Sequence, residues 1–243
     1  RLSEHLTSLD KVYEGYMRLG TVTDSYDLDG KVVEQNLVPE LTVGQIQEVC
    51  DEFTGEILQV PPMVSAVKVG GERLYKKARQ GEVVEREPRR VTVREFKVLD
   101  YEKPDASIRV CCTRGTYVRS LCHDVGQRLG CRGALAGLRR TSIGRFSVED
   151  AVPVDALATL DDVREHLHSI DNALDLPEIV VHPRSSASVC SGAPIAPANL
   201  IGGCPMRSGW VQIKLPSGRL MALGEVRQGP AGVWVHPRRV FVD

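Results

Sequence analysis

Arg114, Tyr117 and Arg119 fall within seven consecutive residues, Thr-Arg-Gly-Thr-Tyr-Val-Arg, at positions 113–119. Their side-chain types could do chemistry together. A phenol can stack through its face and move a proton at its edge, and a guanidinium can grip a carboxylate or phosphate through paired N–H donors. The stretch that carries them, residues 112–130, reads as a strand, a tight turn at Gly115 and a helix closed by Gly130. Val118, Leu121, Cys122, Val125 and Leu129 recur at helical spacing, so one face of that helix is made for burial. The residues alone leave two readings open: a core helix with an exposed basic first turn, or a scaffold presenting these side chains to a cleft.

Other chemistries find less support. The seven cysteines form no CxxC pair and the six histidines do not sit beside them at ligand spacings, which argues against a zinc site. An odd cysteine count without a framework predicts reduced thiols and a cytoplasmic protein. Asp24, Asp27, Asp29 and Gly30 resemble the start of a calcium loop, but Gln35 stands where that loop needs a glutamate, so a hairpin turn is expected. Hydrophobic residues at 42% and charged residues at 26% are usual for a globular chain. No apolar run of about 18 residues occurs, so no membrane partner is expected.

The formal net charge of −1 hides an asymmetry: residues 61–145 hold 19 Lys/Arg against 9 Asp/Glu, and both flanks are acidic. A basic middle third in an acidic chain predicts a surface that faces a polyanion, although a solvated charged face would have the same composition. Within it, Lys68 precedes a Gly-Gly turn, and Arg73, Lys76, Lys77 and Arg79 lie on a short expected helix at 73–81. Arg139 and Arg140 form a second basic pair. Such groups suit an arm lying along a phosphate backbone.

These residues need a frame. Residues 11–20 alternate as a strand that puts Tyr13 on one face with Gly15 and Met17. A helix at 42–53 opens with a capping box, Thr42 and Gln45. Strands are expected near 91–99 and 107–113, while 133–144 reads only as small and apolar residues before the arginine pair. One or two short helices fit 155–168, and 169–177 reads as a linker. Beyond it, strands near 178–182, 209–214, 219–226, 232–236 and 239–242, with a helix at 184–190, suggest a separate small β-barrel.

Together the motifs resemble the bacterial tRNA pseudouridine-55 synthases, the TruB-type family. They are YEGYMRLG at 13–20, Thr23-Asp24 with Asp27 and Gly30, VPPMVSAVK at 60–68 and GERLYKKARQG at 71–81. REPRR at 86–90, GTYVR at 115–119, LGCRG at 129–133 and LRRT at 138–141 complete the ordered series. The resemblance implies an α+β pseudouridine synthase fold around a mixed, largely antiparallel sheet, followed by a small PUA-like β-barrel. It divides the chain into a catalytic domain at 1–170, with an RNA-binding insertion at 61–90, and a PUA-like domain at 178–243. It also implies a monomeric enzyme without metal or cofactor, acting on a uridine flipped from the T-arm loop of tRNA, at position 55. The glycosidic bond would break and the base rejoin the ribose through carbon 5.

Carried over by position, Tyr13 would stack on the target base and accept the carbon-5 proton, Tyr117 would line the base pocket, and Leu138 would form its apolar wall. Arg119 would pair with the catalytic aspartate. The RNA contacts would be Lys68, Arg73, Lys76, Lys77, Arg79, Arg139 and Arg140. One departure bears on activity. The aspartate belongs to a Gly-x-Leu-Asp-Pro motif that the sequence does not contain, and Asp10, Asp24 and Asp27 stand in other contexts. The expectation is a sequence that starts inside a longer protein and is inactive on its own. Two alternatives are a non-catalytic tRNA-binding or RNA-folding module and a relative of the RNA-guided synthases.

Overall fold

The structure is a computed structural model that describes residues 2–203, 208–229 and 232–241; Arg1, Cys204 and the end of the last expected strand, Val242, lie outside the described residues. The chain divides into two compact units, one over residues 4–151 and one over 152–243 with the first three residues. Among the described residues no helix is long and apolar enough to cross a membrane, and the six described cysteines form no disulfide.

After a short helix α1 (Ser3–Ser8), the first unit is built on β1 (Lys11–Leu19). Its alternation sends Lys11, Tyr13, Gly15, Met17 and Leu19 to one face. A hairpin of β2 (Thr21–Thr23) and β3 (Val32–Gln35) encloses the acidic turn at 24–30. Helix α2 (Val43–Glu52) starts as the sequence predicts: Gln45 N–H donates to Thr42 Oγ1 at 3.3 Å and Thr42 N–H to Gln45 Oε1 at 2.8 Å. Then come β4 (Gly55–Gln59), the small hairpin β5 (Lys68–Val69) and β6 (Glu72–Arg73), helix α3 (Leu74–Arg79), β7 (Arg89–Glu102) and β8 (Asp105–Cys112). Helix α4 (Val118–Arg128), β9 (Gly133–Ile143) and β10 (Phe146–Ser147) close the unit. Six strands form one antiparallel sheet in the order β10-β9-β1-β8-β7-β4. Helices α2 and α4 cover the Met17 face, and Met17, Ile46, Cys50, Val93, Phe96, Ile108, Leu121, Cys122 and Val125 meet in its core.

β9 is the strand that the sequence hides. It pairs with β1 along its length, with bulges opposite Val12/Tyr13 and Tyr16/Met17 that break the alternation a strand usually shows. Its backbone also approaches β1 closely: a Cβ on Gly15 would lie 2.2 Å from the Gly137 carbonyl oxygen, so only glycine fits there.

The second unit has helix α5 (Leu160–Glu165) and a five-stranded sheet of β11 (Glu178–Val181), β12 (Leu200–Ile201), β13 (Gly209–Lys214), β14 (Leu220–Gly229) and β15 (Gly232–Val240). Helix α6 (Ser186–Cys190) lies where the sequence predicts one. The order is β12-β11-β13-β14-β15, with β11–β13 parallel and the other pairs antiparallel. The sheet curls on itself, and Ile195 and Val235 exchange backbone hydrogen bonds at 2.8 and 3.1 Å. The two last expected strands are one. A bulge opposite Leu223/Gly224 lets β15 carry Pro237, the residue that makes the sequence look broken there. The expected linker is pinned: Gln212 Nε2 donates to the Leu174 and Leu176 carbonyls at 3.1 and 3.0 Å, and Asp171 accepts from Leu220 N–H at 2.7 Å.

Candidate functional site

The turn between β8 and α4 has Gly115 at φ +87°, a conformation suited to glycine. Tyr117 stands just before the first residue of α4 and is clamped by a buried glutamine at the end of β4. Its N–H donates to Gln59 Oε1 at 2.7 Å and its carbonyl accepts from Gln59 Nε2 at 3.1 Å. Two residues on, the Arg119 guanidinium lies 5.7 Å from the Tyr117 ring centroid and donates to the Val64 carbonyl. The basic corner is therefore tied to the start of the 61–90 segment, and Arg119 is half-buried. Burial lowers the pKa of its guanidinium, and the charges of Asp27 and then Tyr117 oppose that shift. The Asp27 carboxylate thus acts on Arg119 from the 24–30 turn.

The sheet supplies the second group. Tyr13 faces Val110 across β8 and Arg140 across β9. Burial raises the pKa of the Tyr13 phenol, with Cys112 adding to the effect, while Arg140 opposes it through its charge and a hydrogen bond. The phenol therefore stays neutral through the physiological range, able both to donate and to accept. Cys112 hydrogen-bonds Thr116, next to Tyr117, and burial pushes its thiol up to about 11. Lys11, beside Cys112 in the ladder, is buried and donates from Nζ to the Thr7 and Leu9 carbonyls at 2.5 and 2.6 Å.

Leu138 pairs with Gly15 and lies on the Tyr13 face; at 43% exposure it is outside the packed core. The arginine pair separates. Arg140 opposes Tyr13 and shares its face, whereas Arg139 opposes Glu14 and points to the other face.

The remaining basic residues gather on the 61–90 segment. Arg73 and Arg79 stand 6.0 and 5.6 Å from the ring centroid of Tyr75. A cleft of about 500 Å³ there is lined by Lys68, Arg73, Tyr75 and Lys76. Lys77 turns to Glu82 at 3.6 Å. A further cleft of about 610 Å³ runs between Val64, Met63, Ala78 and Val83 and reaches Asp24. Nothing in the sequence marks Gln59 or the Val64 carbonyl as members of this group, because each contributes through a contact that only the fold creates.

Residues 1–118 match the family described as TruB family pseudouridylate synthase, N-terminal domain, and residues 119–175 match the tRNA pseudouridylate synthase B C-terminal domain. The tRNA pseudouridine synthase B of Opitutus terrae is 49% identical over 159 residues, 65% of this chain and 66% of that protein. The tRNA pseudouridine synthase B of Heliobacterium modesticaldum is 37% identical over 245 residues, 99% of this chain and 78% of the relative. The chain thus spans about two thirds to four fifths of the length of these relatives. The solved structure of a Cbf5-Nop10-Gar1 complex superposes with a TM-score of 0.72 at 25% identity, over 98% of this chain and 68% of that one. The ordered motifs, the shared fold and identity along nearly the whole chain agree, and the chain belongs to the TruB family of pseudouridylate synthases.

Proposed function

We propose that this chain supplies most of a site that isomerises a uridine in the T-arm loop of tRNA, at position 55, to pseudouridine, with the base flipped out of its stack and the initiating carboxylate coming from outside these 243 residues. The N1–C1′ bond breaks, the uracil turns, a C5–C1′ bond forms, the C5 proton leaves and N1 gains one. Tyr13 stacks on the base and relays the C5 proton: its oxygen accepts that proton as its own O–H proton passes to water, so the phenol that burial keeps neutral is neutral again afterwards. Tyr117 and Leu138 line the base pocket, and Lys68, Arg73, Lys76, Lys77, Arg79 and Arg140 receive the phosphates. Arg139 takes a phosphate only on the opposite face of the sheet.

The observation that carries this reading is Arg119. A half-buried guanidinium fixed by a carbonyl and an aromatic ring is oriented in advance to grip the carboxylate that starts bond cleavage. That carboxylate has no counterpart in these motifs, so the test compares these 243 residues with the full-length encoded protein on a T-arm stem-loop RNA. Mass spectrometry or tritium release reads the product. Pseudouridine from the full-length protein, with only binding by the 243 residues, is the expected result. Salt-sensitive binding without product from either one would favour a non-catalytic RNA-folding module instead.

A further inference from the structure

Helix α4 presents Arg119, His123 and Gln127 at intervals of four residues, so the three side chains form one stripe. The acidic turn at 24–30 docks on that stripe. The Tyr26 ring stacks on the His123 imidazole with centroids 3.9 Å apart and planes inclined by 13°. Gln127 Nε2 lies 2.6 Å from His123 Nε2, a hydrogen bond between the amide and the ring. Burial lowers the pKa of this imidazole and Arg132 lowers it further, against the Gly133 backbone, which leaves a neutral ring to stack.

The turn itself is fixed at its backbone. Leu28 N–H donates to the Leu135 carbonyl at 2.8 Å, and Leu135 N–H donates to the Tyr26 carbonyl at 2.9 Å. Thr23 Oγ1 and Ser25 Oγ both donate to the Asp27 carbonyl, at 2.7 and 3.2 Å. Tyr26 holds φ +65°, a left-handed conformation that an aromatic residue keeps only where its surroundings impose it. The residue that bears this strain is the one seated on His123, and the next residue is Asp27.

We propose that His123 is a positioning residue for Arg119: through its stack on Tyr26 it holds the 24–30 turn against α4, one helical turn from Arg119, with Asp27 next to the stacked residue. Its importance to catalysis rests on the reading of Arg119 given above, but its test needs no RNA. Loss of T-arm binding or turnover would sink that reading and leave this one standing.

The test compares His123→Ala, His123→Phe and Tyr26→Ala in the 243-residue chain. Amide hydrogen exchange is followed at Leu28 and Leu135, and NMR follows the Arg119 Nε–H resonance. His123→Ala and Tyr26→Ala are expected to speed exchange at both amides by about tenfold and to move the Arg119 resonance, with exchange in the β7–β8 ladder unchanged. His123→Phe, which keeps the stack and removes the ring's polar contacts with Gln127 and the Gly133 backbone, is expected to restore both readings. A purely structural histidine would leave the Arg119 resonance where it is. If His123→Ala does not fold, Tyr26→Ala removes the same stack from the half-buried side. An unmoved Arg119 resonance in Tyr26→Ala, or a failure of His123→Phe to restore it, would overturn the proposal.

Discussion

Asp124, next to His123 on α4, shows what burial does to one carboxyl: it pushes the group up to about 6 from an ordinary value of 3.8. A carboxyl raised on folding favours the native state while both forms are protonated. That advantage is lost as pH climbs from about 4 through about 6, so at neutral pH Asp124 strains the fold. Discounted for partial exposure, the cost is about 1–2 kcal/mol. Asp124→Asn is therefore expected to raise the thermal midpoint by several degrees at pH 7.5 and by nothing at pH 4. Equal gains at both pH values would show that the asparagine acts by some route other than charge. Residues of this scale were only half legible in the sequence. Tyr117 and Arg119 draw notice by type and spacing, but their roles and that of Tyr13 come only from the resemblance of the motifs around them. Gln59 and the Val64 carbonyl draw none, since a buried glutamine clamp or a backbone acceptor exists only once distant segments meet.

Strand β1 and helix α2 were legible because alternation and a capping box are local signals. β9 was not. Its Gly-Ala-Leu-Ala-Gly run contains one register shift, a second follows near Thr141, and its small residues let β1 approach. That close approach gives the element-scale prediction. A methyl group at position 15 would sit 2.2 Å from the Gly137 carbonyl oxygen and 3.0 Å from Leu138 Cδ1, and the oxygen belongs to backbone that cannot swing away. Gly15→Ala is expected to destabilise the first unit by about 1–3 kcal/mol in chemical denaturation. It should also shift the Leu138 methyl resonances, because the two strands can relieve the clash only by parting where Leu138 projects. Retained stability with unshifted methyls would mean that β1 and β9 are less tightly apposed than their register implies.

At the scale of the whole molecule, part of the basic middle third folds back on the acidic first flank, in the pairs Arg90–Glu56, Arg94–Asp10, Lys103–Glu40 and Arg128–Glu52, and another part stands on the 61–90 segment. The segment that holds Lys68, Arg73, Lys76 and Arg79 is folded as a hairpin and a short helix around Tyr75, so its charge is concentrated on one excursion of the chain. A concentrated cationic arm neutralises several phosphates at once and releases their counterions, so affinity for a T-arm RNA should fall steeply as salt rises from about 50 to about 200 mM. Lys76 and Arg79 are exposed, so Lys76→Ala with Arg79→Ala should weaken binding and flatten the plot of log affinity against log salt by roughly 0.7–0.9 for each phosphate no longer neutralised. The arginine pair on β9 separates a true interface from mere basicity. Arg140 shares a face with Tyr13 and Arg139 does not, although the two are neighbours in sequence and equal in charge. If the RNA docks on the Tyr13 face, Arg140→Ala weakens it and Arg139→Ala leaves it nearly unchanged. If charge alone governs binding, the two substitutions cost the same, and a filter-binding titration of both at low salt tells the cases apart.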